Sequence, residues 1–161
     1  MNNIVTQVQN VKEDGALVGR LFPGESLLKG IERVCLDNQV QYGVIVALIG
    51  SLRHADIVYA ISDPSNKVGI KYSDSTRIEG PLELLVCQGM IGLTPENKMS
   101  IHLHGVFSDS KMKLYGGHFI ETGNIVLATV EFMIKKVKDA EMIKEFDEET
   151  GFPLFRFLPQ K

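Results

Sequence analysis

The chain has 161 residues, 44% of them hydrophobic, with 17 lysines and arginines against 20 aspartates and glutamates and a formal net charge of −3. That length and apolar content suit one domain, 1–161 with its core at about 17–157, and fall short of two. The acidic balance argues against a surface that grips nucleic acid through its own charge, and the densest basic run, Lys135, Lys136 and Lys138, reads as a solvated strand end.

The N-terminal MNNIVTQVQNVKEDG has neither a basic n-region nor an apolar h-region, and no apolar run reaches the roughly 18 residues of a membrane span, so a cytoplasmic location is expected. Residues 17–22 then read as a strand that Pro23-Gly24 closes with a turn. From Glu25 or Ser26 to about Asn38, the residues Leu27, Leu28, Ile31, Val34 and Cys35 recur at three- and four-residue spacing, which predicts a helix with one apolar stripe. The rest is strand-like. GVIVALIGSL (43–52) is a continuous apolar run between glycines, the pattern of a strand buried on both faces. ADIVYAI (55–61), VGIKYS (68–73), PLELLVCQGMIG (81–92), MSIHLHGVF (99–107), MKLYGGHFI (112–120) and NIVLATVEFMIKKV (124–137) continue the series. The turn clusters SDPSNK, LTPENK, SDSK and ETGN lie between them at hairpin-like intervals, so most pairings should be antiparallel. A short helix is expected near 139–146, followed by TGFPLFRF, aromatic enough to dock on the core. The fold class is α+β: one large, mostly antiparallel sheet with one main helix packed on it. Cys35 and Cys87 stand far apart in apolar surroundings with no CxxC, as buried thiols do.

Three of the four histidines, His102, His104 and His118, fall within Ser100–Phe119. In a strand His102 and His104 share a face, roughly 6–7 Å apart. A hairpin turning at Ser110 and Lys111 would set His104 directly opposite His118, with Cβ atoms about 4.5–5.5 Å apart. A one-residue slip would turn His118 to the other face, and Gly116-Gly117 is where a bulge could restore it. An isolated H-x-H is more often two half-exposed histidines on a solvated sheet; the third histidine across the hairpin shifts the balance toward a metal. Three neutral imidazoles with one open position suit a catalytic or ligand-binding zinc, one per chain, and Gly105, Gly116 and Gly117 would leave room for a ligand to approach. His54, in SLRHADI, reads as a structural or surface histidine.

PGESLLKGIERV, GVIVALIGSLRHADI, EGPLELLVCQGMI, HLHGVFSD, YGGHF and EETGFPLFRF, in that order and spacing over residues 17–157, resemble the plant and prokaryote conserved domain family. The resemblance implies a homotrimer built on a strongly bent antiparallel sheet with a helix against it, and a zinc ion on His102, His104 and His118. Plant members carry the domain behind AT-hook segments that bind DNA. This chain has no R-G-R-P core, so the DNA-binding name often given to prokaryotic members rests here on kinship. The fold group is similar to acetolactate decarboxylase, whose zinc is also held by an H-x-H pair and a later histidine. That suggests metal-assisted chemistry on a small carbonyl or ester substrate, which also needs an acid, a base or an anion clamp near the metal. Glu83 and Glu131 are the candidate catalytic residues, with Arg53 or Arg20 as clamps. Each glutamate reads more readily as an exposed or ion-paired strand residue. The leading expectation is a trimeric, zinc-carrying binding or regulatory module whose partner is a protein or nucleic-acid complex and whose own contact with DNA is weak or absent. A zinc-dependent lyase or hydrolase is second, and a trimer in which the metal only pins the sheet is third.

Overall fold

The computed structural model describes residues 12–159. The chain order is β1 (Lys12–Leu21), α1 (Leu27–Asp37), β2 (Gly43–Val58), β3 (Ala60–Ser62), β4 (Ile70–Tyr72), β5 (Thr76–Leu93), β6 (Met99–Asp109), β7 (Leu114–Phe119), β8 (Ile125–Lys138), β9 (Ala140–Asp147) and β10 (Phe152–Pro159). Eight strands form one sheet in the order β1-β8-β2-β7-β6-β5-β9-β10, and β3 pairs with β4 in a separate ribbon. Strand β2 also pairs with β5, so β2, β7, β6 and β5 close on one another and the sheet is strongly bent. Among the described residues every strand pairing is antiparallel except a single parallel rung between Leu93 and Ile143. The α+β reading holds.

Helix α1 lies where the apolar stripe put it. Ser26 stands at its N-cap and accepts the Gly30 N–H at 2.8 Å through its carbonyl. Leu27, Leu28, Ile31 and Cys35 are buried on one face, each of the aliphatic side chains contributing about 1.5–3 kcal/mol by leaving water. They meet Ile45, Leu48, Leu52, Leu103, Phe107, Phe119, Val130 and Ile134 in one core. Both cysteines are free and buried, and burial pushes the thiol pKa of Cys35 up to about 11 and of Cys87 to about 12.

Three expectations are corrected. The runs 43–52 and 55–61 are not separate strands: most of both belongs to the single long β2. Register shifts against β8 between Ile45 and Ala47, and again on either side of Leu52, re-aim its side chains. As a result Ile45, Leu48 and Leu52 point into the core while Ile49 stays 50% exposed, so this strand is not buried on both faces. The helix expected near 139–146 is strand β9. Asp139 turns the chain at φ 62, and β9 then pairs with β10 over eight rungs from Ala140 to Asp147. Ala140 and Met142 are buried while Glu141 and Ile143 are less so, the alternation of a strand; Ala140, Ile143 and Lys144 had mimicked helical spacing. The tail does dock, as β10, but on the strand that replaced the helix.

A buried polar knot ties the turn after β7. Asn124, fully buried, accepts the Asp56 N–H at 2.8 Å and donates to the carbonyls of Ile120 (2.7 Å) and Thr122 (3.1 Å). Arg77 grips Asp56 with two parallel bonds, 2.7 and 2.6 Å. Gly123, at φ +74, lies so close that a Cβ there would meet the Asp56 carboxylate at 2.0 Å.

Candidate metal centre

The hairpin β6–β7 sets the site. Asp109 ends β6 and accepts the backbone N–H of Lys111 (2.8 Å) and Lys113 (3.0 Å) through one carboxylate oxygen, which, with a bond from Tyr115, holds its pKa below the usual carboxylate range. Met112 takes φ 61 within the turn. This fixes the pairing at Ser108 with Leu114, and four rungs on it places His104 opposite His118, the register expected from the sequence, with no bulge at Gly116-Gly117. Leu103 and Phe119, the neighbours in sequence, point inward and are 0% and 1% exposed. Their burial forces the three histidines to the opposite face.

The imidazoles converge edge to edge. His102 Nε2 lies 2.9 Å from His104 Nε2, which lies 3.1 Å from His118 Nδ1. Ring centroids are 4.8, 4.9 and 5.1 Å apart. Burial, reinforced by the neighbouring imidazoles and by the Lys144 ammonium, pulls the pKa of His102 and of His118 down to about 4. His104 is the most exposed of the three, yet its ring tip sits between the other two and loses water there, which lowers its pKa too. All three are therefore neutral at pH 7, the form that ligates metals. Their donor atoms lie within 4.8 Å of one another. Tetrahedral zinc with bonds of about 2.0–2.1 Å holds its ligand nitrogens about 3.3 Å apart, so the two contacts at 2.9 and 3.1 Å would open by a few tenths of an ångström and the widest separation in the set, within 4.8 Å, would close.

A cavity of about 510 Å³ opens beside the histidines. Its walls come from three ribbons: β6–β7 with the histidines, β3–β4 with Ile70 and Tyr72, and β9–β10 with Lys144, Phe152 and Leu154. The Tyr72 ring packs 5.4 Å from that of His118 and 5.6 Å from Phe152. A second space of about 230 Å³ lies on the other side of His118, bordered by Glu32, Glu121 and, again, Lys144. Both glutamates are held by Lys29, Glu32 at 3.1 Å.

Neither candidate catalytic glutamate joins the histidines. Glu83 is exposed on β5 opposite Ser108, four residues along β6 from His104, or roughly 13 Å. Glu131 is exposed on β8 between Arg20 of β1 and Ile49 of β2. Arg20 lies over the Phe22 ring at 4.6 Å, and Arg53 is exposed on β2; neither borders either cavity. His54, half-buried opposite Glu79, stands apart from the cluster. Gly105 does not make room for a ligand: its α-carbon faces the core, where a Cβ would meet Cys87 Sγ at 2.3 Å. Lys144, Tyr72 and Phe152 were missed. For Lys144 the signal existed, because reading 140–147 as a strand puts Ala140, Met142 and Lys144 on one face.

The profile of the Plants and Prokaryotes Conserved (PCC) domain matches residues 8–138. Two cyanobacterial proteins of Synechococcus, each named bifunctional protein GlmU, are 26% and 25% identical over 133 residues; that stretch is 83% of this chain but only 18% and 19% of theirs. A metal-containing protein from Archaeoglobus fulgidus has the same fold, with a TM-score of 0.79 at 24% identity, covering 94% of this chain and 99% of its own. A plant- and prokaryote-conserved protein from Pyrococcus horikoshii gives 0.79 at 21%, covering 96% and 100%. A Ralstonia eutropha protein provisionally named DNA-binding gives 0.70 at 22%, covering 88% and 90%.

Proposed function

The chain belongs to the Plants and Prokaryotes Conserved domain family, and on that premise we propose that it is a trimeric binding or regulatory module in which His102, His104 and His118 hold one divalent metal ion per chain, zinc first among the candidates. One observation carries this reading: three neutral imidazoles aim their nitrogens at a common point at the mouth of a cavity. Imidazole donors suit zinc, and among the described residues the cavity lining has no thiol or carboxylate to complete a closed structural set. The metal-containing name of the Archaeoglobus relative supports the same reading. When bound, the ion would act as a Lewis acid toward a ligand oxygen or a water. The protein's share is to hold three unprotonated rings at fixed spacing and to wall the approach with apolar side chains.

The trimer is supported by apolar side chains left exposed on the histidine face of the bent sheet. Met90, Val86, Val106 and Leu114 are 37%, 56%, 43% and 61% exposed, and by strand register they continue the face that carries His102 and His104. A contiguous patch of this kind is usually covered by another subunit. An association with DNA, suggested by the name of the Ralstonia relative, would run through a partner, because a net charge of −3 leaves little surplus for phosphates. The second reading, a zinc-dependent enzyme on a small carbonyl or ester, is favoured by the cavity itself; the distance of Glu83 and Glu131 from the histidines ranks it below the module.

The test is elemental analysis of untagged protein. About one zinc per chain is expected, lost in His104→Ala and retained in His54→Ala. Full occupancy in His104→Ala would overturn the assignment.

A further inference from the structure

Lys144 is the feature the metal reading leaves unused. It is half-buried, lines the cavity beside the histidines, and makes no ion pair or hydrogen bond among the described residues; its ammonium lies 5.9 Å from the Phe155 ring centroid. Burial holds its pKa below the usual lysine value. Of the neighbouring carboxylates, Glu145 pairs with Arg156 at 3.1 Å, and Glu32 and Glu121, which border the second space together with Lys144, pair with Lys29. The other lysine at the cavity, Lys71, is matched by Asp63 at 3.5 Å. Among the described residues, no aspartate or glutamate lines the cavity. A cation withdrawn from water without a counter-charge is costly, and sites that keep one do so where a ligand supplies the charge. Around it the walls are apolar and aromatic, formed by Ile70, Tyr72, Phe152 and Leu154, in a volume typical of small-molecule sites.

We infer that this cavity binds a small monocarboxylate with an aromatic or branched apolar body, the carboxylate received by the Lys144 ammonium beside the histidines and the body lodged against Tyr72, Phe152 and Leu154. The inference deepens the proposal above and rests on its metal site, but Lys144 makes it separable from that site. The anion faces a lysine and three imidazoles with no opposing carboxylate, while acetate, lacking a body, leaves the apolar walls uncovered. A neutral amide of the same shape leaves the ammonium unpaired.

The probes are 3-phenylpropanoate, 3-phenylpropanamide and acetate, titrated calorimetrically into the full chain, both zinc-loaded and stripped by chelator, with zinc content measured alongside. The acid should bind at least about 10-fold more tightly than the amide and than acetate, and Lys144→Met should weaken it by about 10–100-fold, the value of one hydrogen bond to a charged group. Zinc content in Lys144→Met should equal that of the wild type, and Lys144→Arg, which keeps the charge, should retain the preference for the acid and serve as the folding control. Equal affinity in wild type and Lys144→Met, equal affinity for acid and amide, or no binding of the acid would each overturn the inference. Failure of the metal reading shows separately, as wild-type protein that holds no zinc; Lys144-dependent binding in stripped protein would then still uphold the carboxylate site.

Discussion

Replacing Asn124 by alanine should be among the most damaging single changes in the chain. Its side chain makes three hydrogen bonds in a fully buried position, one accepting from the Asp56 N–H and two donating to the carbonyls of Ile120 and Thr122. At about 0.5–1.5 kcal/mol each, these bonds are worth about 1.5–4.5 kcal/mol. Asn124 also sits at φ 58, where asparagine is tolerated and alanine costs roughly 1–2 kcal/mol. The combined loss is about 3–5 kcal/mol, less than the sum of the upper limits because Ile120 and Thr122 lie in an outer turn that water can reach once it relaxes. With a urea m-value of about 2 kcal/mol/M, the midpoint should fall by about 1.5–2.5 M with the slope unchanged, measured by circular dichroism at one fixed protein concentration so that assembly is held constant. Asn124→Gly, which accepts the left-handed backbone, should lose somewhat less. A midpoint shift below about 0.5 M in Asn124→Ala would show that the knot does not hold the β7–β8 turn as described.

Further outcomes are expected. Bonding to Arg77 holds the Asp56 carboxyl below its ordinary value, so the pair's stabilisation is present above the unfolded carboxylate pKa of about 3.9 and is lost as pH falls through the lower folded value. Urea midpoints from pH 6 to pH 2 should therefore fall less steeply in Arg77→Met than in wild type; parallel curves would refute the linkage. Light scattering should give three times the chain mass at micromolar concentration and a smaller mass for Val106→Glu, whereas a monomeric wild type would remove the assembly from the account. Fluorescence anisotropy should find duplex DNA bound no better at physiological salt than a neutral control, and sub-micromolar, salt-sensitive binding would restore direct contact with DNA.

What the sequence disclosed follows from which contacts are local. The α1 stripe and the β6–β7 register depend on spacing within about 20 residues, so Leu27 to Cys35 and the His104–His118 pair could be placed from the sequence. The closure of β2 on β5 could not, because it pairs residues 19 to 48 positions apart, such as Ser51 with Glu83, through shifts that no periodicity announces. The misreading of 140–147 had a wider effect. Helical spacing at Ala140, Ile143 and Lys144 hid a strand whose partner, β10, supplies the register, and with it went Lys144, Phe152 and Leu154, three residues of the cavity wall. Glu83 and Glu131 failed as neighbours of the histidines for the same reason: alternation assigns a face, while distance along a bent sheet comes from long-range pairing.

The central claim is that three histidines hold a metal, and anomalous diffraction from untagged crystals, recorded on either side of the zinc absorption edge, tests it most directly. The account predicts one strong peak per chain, about 2.0–2.1 Å from His102 Nε2, His104 Nε2 and His118 Nδ1, the three nitrogens that already face one another. A peak elsewhere, or none at these atoms in protein grown and purified with zinc present, would contradict it.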